Sequence, residues 1–427
     1  MDHRGILVDL GEMLGSEIVY DLDNPYHLRY TAELDHEING ALLAEAWERT
    51  KRVYPLIDAV LVFDRGDLDD YKSIKNEDRP SYCHDHMYLA AAEKGENVPV
   101  KTKVPVAPGT AAVGGRLVCI SYYGNSVSLS AYHTLVDGGG MNMIFSTFLY
   151  AYLALYTGHE DPSPVVELRE GREIAEYYTP SLFDLVYARD YTPMPIYALP
   201  RGCKGFRDPE MANEAGRLLA ADLAVNAADF MALCKSSGAN PSSMLCVLIA
   251  KATRDLYPEG WDSLAYNLTV SVRKAFGLEN AISNSVSCAA ACITREELEQ
   301  ETLAAVSQKV RRDLDSQRGW DYFASFYRVF DTYRYTPVFI PRTVTYIGGL
   351  NVGENNRHIT GFSMAANGDC NLYLMQLNDR FHLCLEYGRA TGKYLDAFVR
   401  VFSELGVRAE ITRSQYEVDP DVEEPVL

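Results

Sequence analysis

The segment Ser130-Ala131-Tyr132-His133-Thr134-Leu135-Val136-Asp137-Gly138-Gly139-Gly140 joins two incompatible hydrophobic periods. Before it, Leu117–Tyr123 and Val127–Tyr132 alternate as strands do, and they flank Gly124-Asn125, a pair suited to a tight hairpin. After it, Met141, Ile144, Phe145, Phe148, Leu149, Tyr152 and Leu153 recur at helical spacing, which predicts a helix over about 139–156 with a broad apolar face. A strand handing over to a buried helix across a glycine run implies a mixed α/β core. It also puts His133 at a strand end, where a rigid scaffold can aim one imidazole into a cleft. With an ordinary pKa of about 6.5, that ring is suited to proton transfer near neutrality.

Length and charge narrow the possibilities. A chain of 427 residues exceeds one typical core and suggests two or three domains. The net charge of −19 argues against a nucleic-acid partner, which needs a basic footprint. The same charge means that any phosphate-bearing substrate requires a local basic pocket. No apolar run approaches the length of a membrane span; Met244–Ala250 is about the longest and reads as a buried helix face. The N-terminus lacks a basic region followed by an apolar one, so a cytoplasmic protein is expected. Nine scattered cysteines, several inside apolar patterns (Cys119, Cys246, Cys288, Cys384), are expected to be reduced and buried.

Along the chain, residues 1–186 read as one unit of alternating strands and helices. Residues 187–217, with Pro193, Pro195, Pro200 and Pro209 and little periodicity, read as a crossover linker. A second unit over 218–414 opens with a helix Ala227–Ser237. Asn240-Pro241-Ser242 then starts another, to about Leu256. Strands over 264–273 and 284–294 follow, then a charged helix over 295–316 with Thr294 and Glu297 as capping box. Asn378-Asp379 joins two strands as a hairpin, and a helix Tyr394–Leu405 and a strand Val407–Ile411 complete the unit. An acidic tail, 415–427, is expected to be solvated and loose.

The H-x-x-x-D-G pattern of His133, Asp137 and Gly138 resembles the CoA-dependent acyltransferase superfamily. That group includes chloramphenicol acetyltransferase, the condensation domains of peptide synthetases, alcohol acetyltransferases and plant BAHD enzymes. The likeness runs from about residue 20 to 411. The amphipathic stretch Leu42–Tyr54 leading into Ala59–Phe63 is similar to the family's first helix and second strand. Asn267–Arg273 is similar to the strand that ends in a buried arginine, Asn284 falls near a Gly-Asn pair, and Thr345-Tyr346-Ile347-Gly348 falls where relatives carry Ser-Asn-x-Gly. The chain departs from these patterns in three places. Tyr132 stands where condensation domains have a second histidine, Ser283 replaces the glycine before Asn284, and there is no Asp-Phe-Gly-Trp-Gly segment.

The resemblance implies an α/β fold of mixed sheets, with two chloramphenicol acetyltransferase-like subdomains in a V-shaped pseudo-dimer and a tunnel between them. It implies an acyltransferase moving an acyl group from a thioester to a hydroxyl or amine of a small acceptor. The donor is acyl-CoA or an acyl group on a phosphopantetheinyl carrier protein, and no cofactor is tightly bound. His133 is then the general base, Asp137 and Arg273 an interdomain salt bridge, and Gly138 a close backbone approach to the acyl group. Thr345, Tyr346 and Asn284 are the candidates for oxyanion and substrate binding. The absence of a G-x-S-x-G elbow agrees with direct attack. The alternatives are a stand-alone condensation-type protein forming an amide or ester, and a silent relative that binds a carrier domain or metabolite.

Other clusters carry less. Cys83-His84-Asp85-His86 lacks a matching ligand pair elsewhere and reads as a polar loop, so no metal is expected. Tyr132, adjacent to His133 in an alternating strand, points to the opposite face and reads as structural. Tyr322, Phe323, Phe326, Tyr327, Phe330, Tyr333 and Tyr335 have helical spacing, and core packing is the better guess than a tunnel lining.

Overall fold

A computed structural model describes residues 6–9, 27–63, 73–74, 87–92, 97–133, 135–161, 166–179, 182–197, 199, 203, 205–206, 208–211, 219–333, 342–366 and 370–418. Its first part contains β1 (Ile6–Asp9), β2 (Leu28–Leu34), α1 (Gly40–Val53), β3 (Ala59–Phe63), β4 (Met87–Ala91), β5 (Val100–Lys101), β6 (Val118–Tyr123), β7 (Ser126–Ala131), α2 (Gly138–Thr157) and α3 (Phe183–Tyr187). The second part contains β8 (Leu219–Asn226), α4 (Ala227–Ser236), α5 (Pro241–Leu256), β9 (Ser263–Ser271), α6 (Arg273–Phe276), β10 (Val286–Thr294), α7 (Arg295–Gln300), α8 (Leu303–Asp315), α9 (Trp320–Tyr333), β11 (Thr343–Gly349), β12 (Ile359–Ala365), β13 (Asn371–Leu377), β14 (Arg380–Glu386), α10 (Thr391–Glu404) and β15 (Ala409–Glu417).

The strands form three sheets in the orders β1-β4-β3, β12-β2-β7-β6-β5 and β10-β9-β11-β13-β14-β8-β15. Gly124 and Asn378 take positive φ in the β6–β7 and β13–β14 hairpins, where Gly and Asn are the residues that tolerate it. The core of the first half packs the predicted face of α2 (Met141, Ile144, Phe145, Phe148) against Leu43, Ala46 and Trp47 of α1 and the five-stranded sheet. Trp47 meets Phe148 edge-on, ring centroids 5.6 Å apart. A second core packs α5, α8 and α10 against the seven-stranded sheet.

β12 comes late in the sequence yet pairs with β2, and Phe362 and Met364 enter the core of the first half. Its alternating side chains supply an apolar face that the five-stranded sheet buries.

Several boundaries differ from expectation. The charged helix over 295–316 is two helices. Thr294 and Glu297 do form the capping box of α7, but Glu301 turns extended and Thr302 caps α8 through its hydroxyl. Ser, Thr and Asn caps restart helices because their oxygens satisfy orphan N–H groups. Arg273 opens the short helix α6 instead of closing a strand. β15 runs to Glu417, so Tyr416 and Glu417 of the expected tail are paired with β8; 419–427 lie outside the described residues. Cys119, Cys234, Cys246, Cys288, Cys370 and Cys384 are reduced, but Cys203 and Cys292 are joined in a disulfide. Cys203, within the expected crossover, thus meets Cys292 of β10 from 89 residues away. The Cys83–His86 cluster lies outside the described residues.

Candidate active site at the seam of the two halves

β7 ends at Ala131, Tyr132 donates its backbone N–H to Leu117, and the chain turns through His133 before α2 begins. Tyr132 is buried in the first core. His133 is half-buried and lines a cavity of about 560 Å³. Among the described residues, no group hydrogen-bonds its ring.

The cavity's walls come from both halves. Gly138, Gly139, Asn142 and Met143 of α2 face Thr269, Ser271, Asn284 and Val286. Thr345, Tyr346 and Ile347 of β11 form a third wall, and Phe326 and Tyr327 of α9 reach it from the aromatic cluster. Tyr322, Phe323, Phe326 and Tyr327 of that cluster are core, as their spacing predicts, with one edge exposed to the cavity; the side chains of Phe330, Tyr333 and Tyr335 lie outside the described residues. Tyr322 and Tyr327 donate their hydroxyls to the backbone carbonyls of Cys288 and Val286, which fixes the α9 face against β10.

Asp137 and Arg273, 136 residues apart in sequence, form a bidentate pair at 2.7 and 2.9 Å; both are buried, at 1% and 7% exposure. Nothing in this constellation is left unsatisfied. Asp137 also accepts from the backbone N–H of Gly140 (2.8 Å), as N-cap of α2, and of Ser285 (3.0 Å). Arg273 donates to the carbonyls of Ala281 (2.7 Å) and Ser283 (2.9 Å). One carboxylate therefore starts the helix beside His133 and ties it to the second half. A satisfied, charge-assisted pair of this kind holds geometry tightly.

The glycine run is needed for space, since none of its three members has positive φ. A Cβ on Gly138 would meet the Tyr30 hydroxyl at 3.0 Å, and that hydroxyl donates to the Gly138 carbonyl. A Cβ on Gly139 would meet Arg273 at 2.9 Å. The tightest demand falls on Gly140, whose Cβ would overlap the Ile282 backbone carbonyl. The sequence marks Gly138; the packing adds Gly140.

Thr345 accepts a hydrogen bond from the Thr269 hydroxyl at 3.1 Å across neighbouring strands. Tyr346 also lines the cavity but packs edge-on to Phe381 in the second core, and burial raises its pKa. Asn284 lies between two serines that serve the brace: the Ser283 carbonyl accepts from Arg273 and the Ser285 N–H donates to Asp137. The expected site residues His133, Asp137, Gly138, Arg273, Asn284, Thr345 and Tyr346 thus surround one cavity. Thr269, Asn142, Cys288, Asn371 and Tyr373 join them without a sequence signal, because each arrives through strand register or helix phase alone.

The chain matches no protein-family model and no curated protein sequence. Solved structures do match it. The first condensation domain of the calcium-dependent antibiotic synthetase, in complex with a substrate analogue, superposes with a TM-score of 0.60 at 13% identity, covering 97% of this chain and 98% of that one. Polyketide synthase associated protein 5 from Mycobacterium tuberculosis gives 0.59 at 14% identity, covering 94% and 98%. TRI101 of F. graminearum, complexed with coenzyme A and T-2 mycotoxin, gives 0.59 at 10% identity, covering 94% and 99%. This protein therefore has the CoA-dependent acyltransferase and condensation-domain fold, an α/β architecture of two chloramphenicol acetyltransferase-like subdomains. The epimerization domain of tyrocidine synthetase B shares it, at a TM-score of 0.55 and 11% identity, covering 91% and 93%. A shared fold does not fix the reaction.

Proposed function

We propose that this protein is an acyltransferase that moves an acyl group from a thioester, acyl-CoA or a carrier-bound acyl group, to a hydroxyl or amine of a small acceptor. The observation that carries the reading is His133 opening into a cavity at the seam, on a turn braced by Asp137 and Arg273. In this role His133 takes the acceptor's proton as its oxygen or nitrogen attacks the thioester carbonyl. The oxyanion that forms is held by the Thr345 hydroxyl and by the backbone N–H groups of Gly138 and Gly139 at the start of α2, which have no partner within the helix. Collapse expels the thiolate, and the His133 imidazolium returns the proton to it. Asp137 and Arg273 position the turn and take no proton. Thr345 suits the oxyanion better than Tyr346, whose ring is committed to packing against Phe381.

The subdomains of the reading are 1–186 and 218–414, joined by 187–217, with β12 exchanged into the first. Leu28, Met143, Ile347, Met364 and Phe326 line much of the cavity and favour an acceptor with an apolar or aromatic body. The condensation-domain neighbours favour a second reading, amide or ester formation between carrier-bound partners. A panel of acyl-CoAs and acyl carrier proteins with alcohol and amine acceptors, followed by free-thiol release, decides between donors. His133→Ala is expected to lower the rate by about 10²–10⁴ without changing the melting temperature. Full activity in that variant would overturn the assignment of the base. Saturable binding with no thiol release from either donor class would favour the silent relative.

A further inference from the structure

Behind the wall formed by Asn142 and Met143 lies a second cavity, of about 260 Å³, which shares these two residues with the His133 cavity. A guanidinium dominates it. Arg172 is 5% exposed, and its Nε and Nη1 have no hydrogen-bond partner. Its plane is held by the rings of Tyr177 and Tyr54, at 5.0 and 5.6 Å, and its Nη2 makes a long contact of 3.5 Å to the Glu176 carbonyl. Glu167 forms a loose ion pair with it: its Oε2 stands 3.7 Å from Nη1, beyond hydrogen-bond reach, while its Oε1 accepts from the Arg169 backbone N–H. Asn280 and Asn351 stand exposed on the rim, and Ser146 lies on the α2 side.

A buried guanidinium with two N–H edges lacking hydrogen bonds is costly, because the loose Glu167 pair and the two rings offset only part of its desolvation. A stacked, fixed fork of this kind fits the geometry of a phosphate or carboxylate. It also places a fixed buried cation in a strongly acidic chain, the counter-charge that a phosphate-bearing substrate requires, in a cavity that Glu167 lines as well. Ser146 is eight residues along α2 from Gly138, about 12 Å at the rise of a helix. We infer that Arg172 anchors an oxyanion subsite, which receives a phosphate or carboxylate carried by a substrate whose reacting end lies at His133. This role rests on the acyl-transfer reading, since it treats the two cavities as one substrate path; the binding of an anion at Arg172 does not.

Isothermal titration with inorganic phosphate and, separately, with acetate tests the subsite. Arg172→Gln is expected to weaken whichever anion binds by at least tenfold, with partial recovery in Arg172→Lys. Equal affinity in wild type and Arg172→Gln would overturn it. Should Arg172→Gln not fold, Asn280→Asp and Asn351→Asp put a carboxylate on the exposed rim; each should weaken anion binding several-fold, and no change in either would count equally against the site. Titration with acetyl-pantetheine, acetyl-4′-phosphopantetheine and acetyl-CoA then separates the sources. Dependence on Arg172 only when a phosphate is present assigns the donor arm, whereas dependence confined to carboxylate-bearing acceptors assigns the acceptor. Arg172-dependent anion binding with no thiol release from any donor would leave the subsite standing and sink the acyl-transfer reading. Thiol release whose KM is indifferent to Arg172 would do the reverse.

Discussion

Individual residues around the seam are constrained from more than one side. Asp137 is helix cap, counter-ion and acceptor for Ser285 at once, so its removal strands a buried Arg273 guanidinium. Asp137→Ala and Arg273→Ala should each destabilise the fold by about 3–5 kcal/mol, the cost of leaving one buried charge uncompensated. A denaturant midpoint within error of wild type in both variants would show that the pair carries no such energy. Space is the second constraint. Gly140→Ala pushes a methyl into the Ile282 backbone, which cannot rotate away, whereas Gly138→Ala meets a tyrosine hydroxyl that can move. Gly140→Ala should therefore lower the melting temperature well beyond Gly138→Ala; an equal effect would mean that the crowding at Ile282 relaxes freely.

At the scale of elements, the buried ionisable groups of the seven-stranded sheet include two of opposite sense. Burial pushes the His382 imidazole on β14 down to about 4, and Arg380 adds to the shift. Its neutral form thus stabilises the fold above about pH 6.5, and that stabilisation is lost as pH falls through 4. Burial lifts the Asp222 carboxyl on β8 up to about 6, against the pull of Arg413. Its contribution is present below the ordinary carboxylate range and is lost as pH rises through 6. Each shift corresponds to a few kcal/mol at most. Compared with wild type, His382→Leu should gain relative stability as pH drops from 6.5 to 4, and Asp222→Asn as it climbs from 4 to 6. Thermal melts across this range read both differences directly. A stability gap that stays constant with pH would show that the group titrates alike in folded and unfolded chains.

For the whole molecule, β12 makes the two halves interdependent. It covers an edge of β2 and contributes Phe362 to the first core, where its ring meets Tyr30 with centroids 5.4 Å apart. Asp35, at the end of β2, hydrogen-bonds both His36 and His358, the latter just before β12, and so pins the exchanged strand where it enters. Residues 1–217 expressed alone would present an unpaired edge beside an incomplete core, a combination prone to aggregation. They should be insoluble, and co-expression with 218–427 should recover a soluble complex that co-purifies. A soluble, monomeric first half would show that β12 is dispensable.

Sequence and tertiary structure divide the site between them in a physically understandable way. Local periodicity and capping chemistry act within a few residues, so the β6–β7 hairpin, the helix after Asp137, the cap at Asn240 and the turn at Asn378 are all legible from the chain. The charged run over 295–316 is misread because Thr302 restarts a helix through a side-chain cap that competes with uninterrupted helical propensity. The Cys203–Cys292 bond is hidden because cysteine spacing says nothing about where a crossover segment lands.

Asp137, Arg273 and Asn284 are legible only as members of a motif; their convergence is decided by packing, with 136 residues separating the two ends of the ion pair. Thr269 beside Thr345, the second cavity around Arg172 and the steric lock at Gly140 have no local signature. The sequence by itself determined the α/β class, the strand-to-helix turn and the histidine on it, because those follow from short-range period and hydrogen-bond chemistry. Which side chains face that histidine, and which buried cation lies behind the wall, only the tertiary structure decided, since both depend on strand register and on two halves closing over one seam.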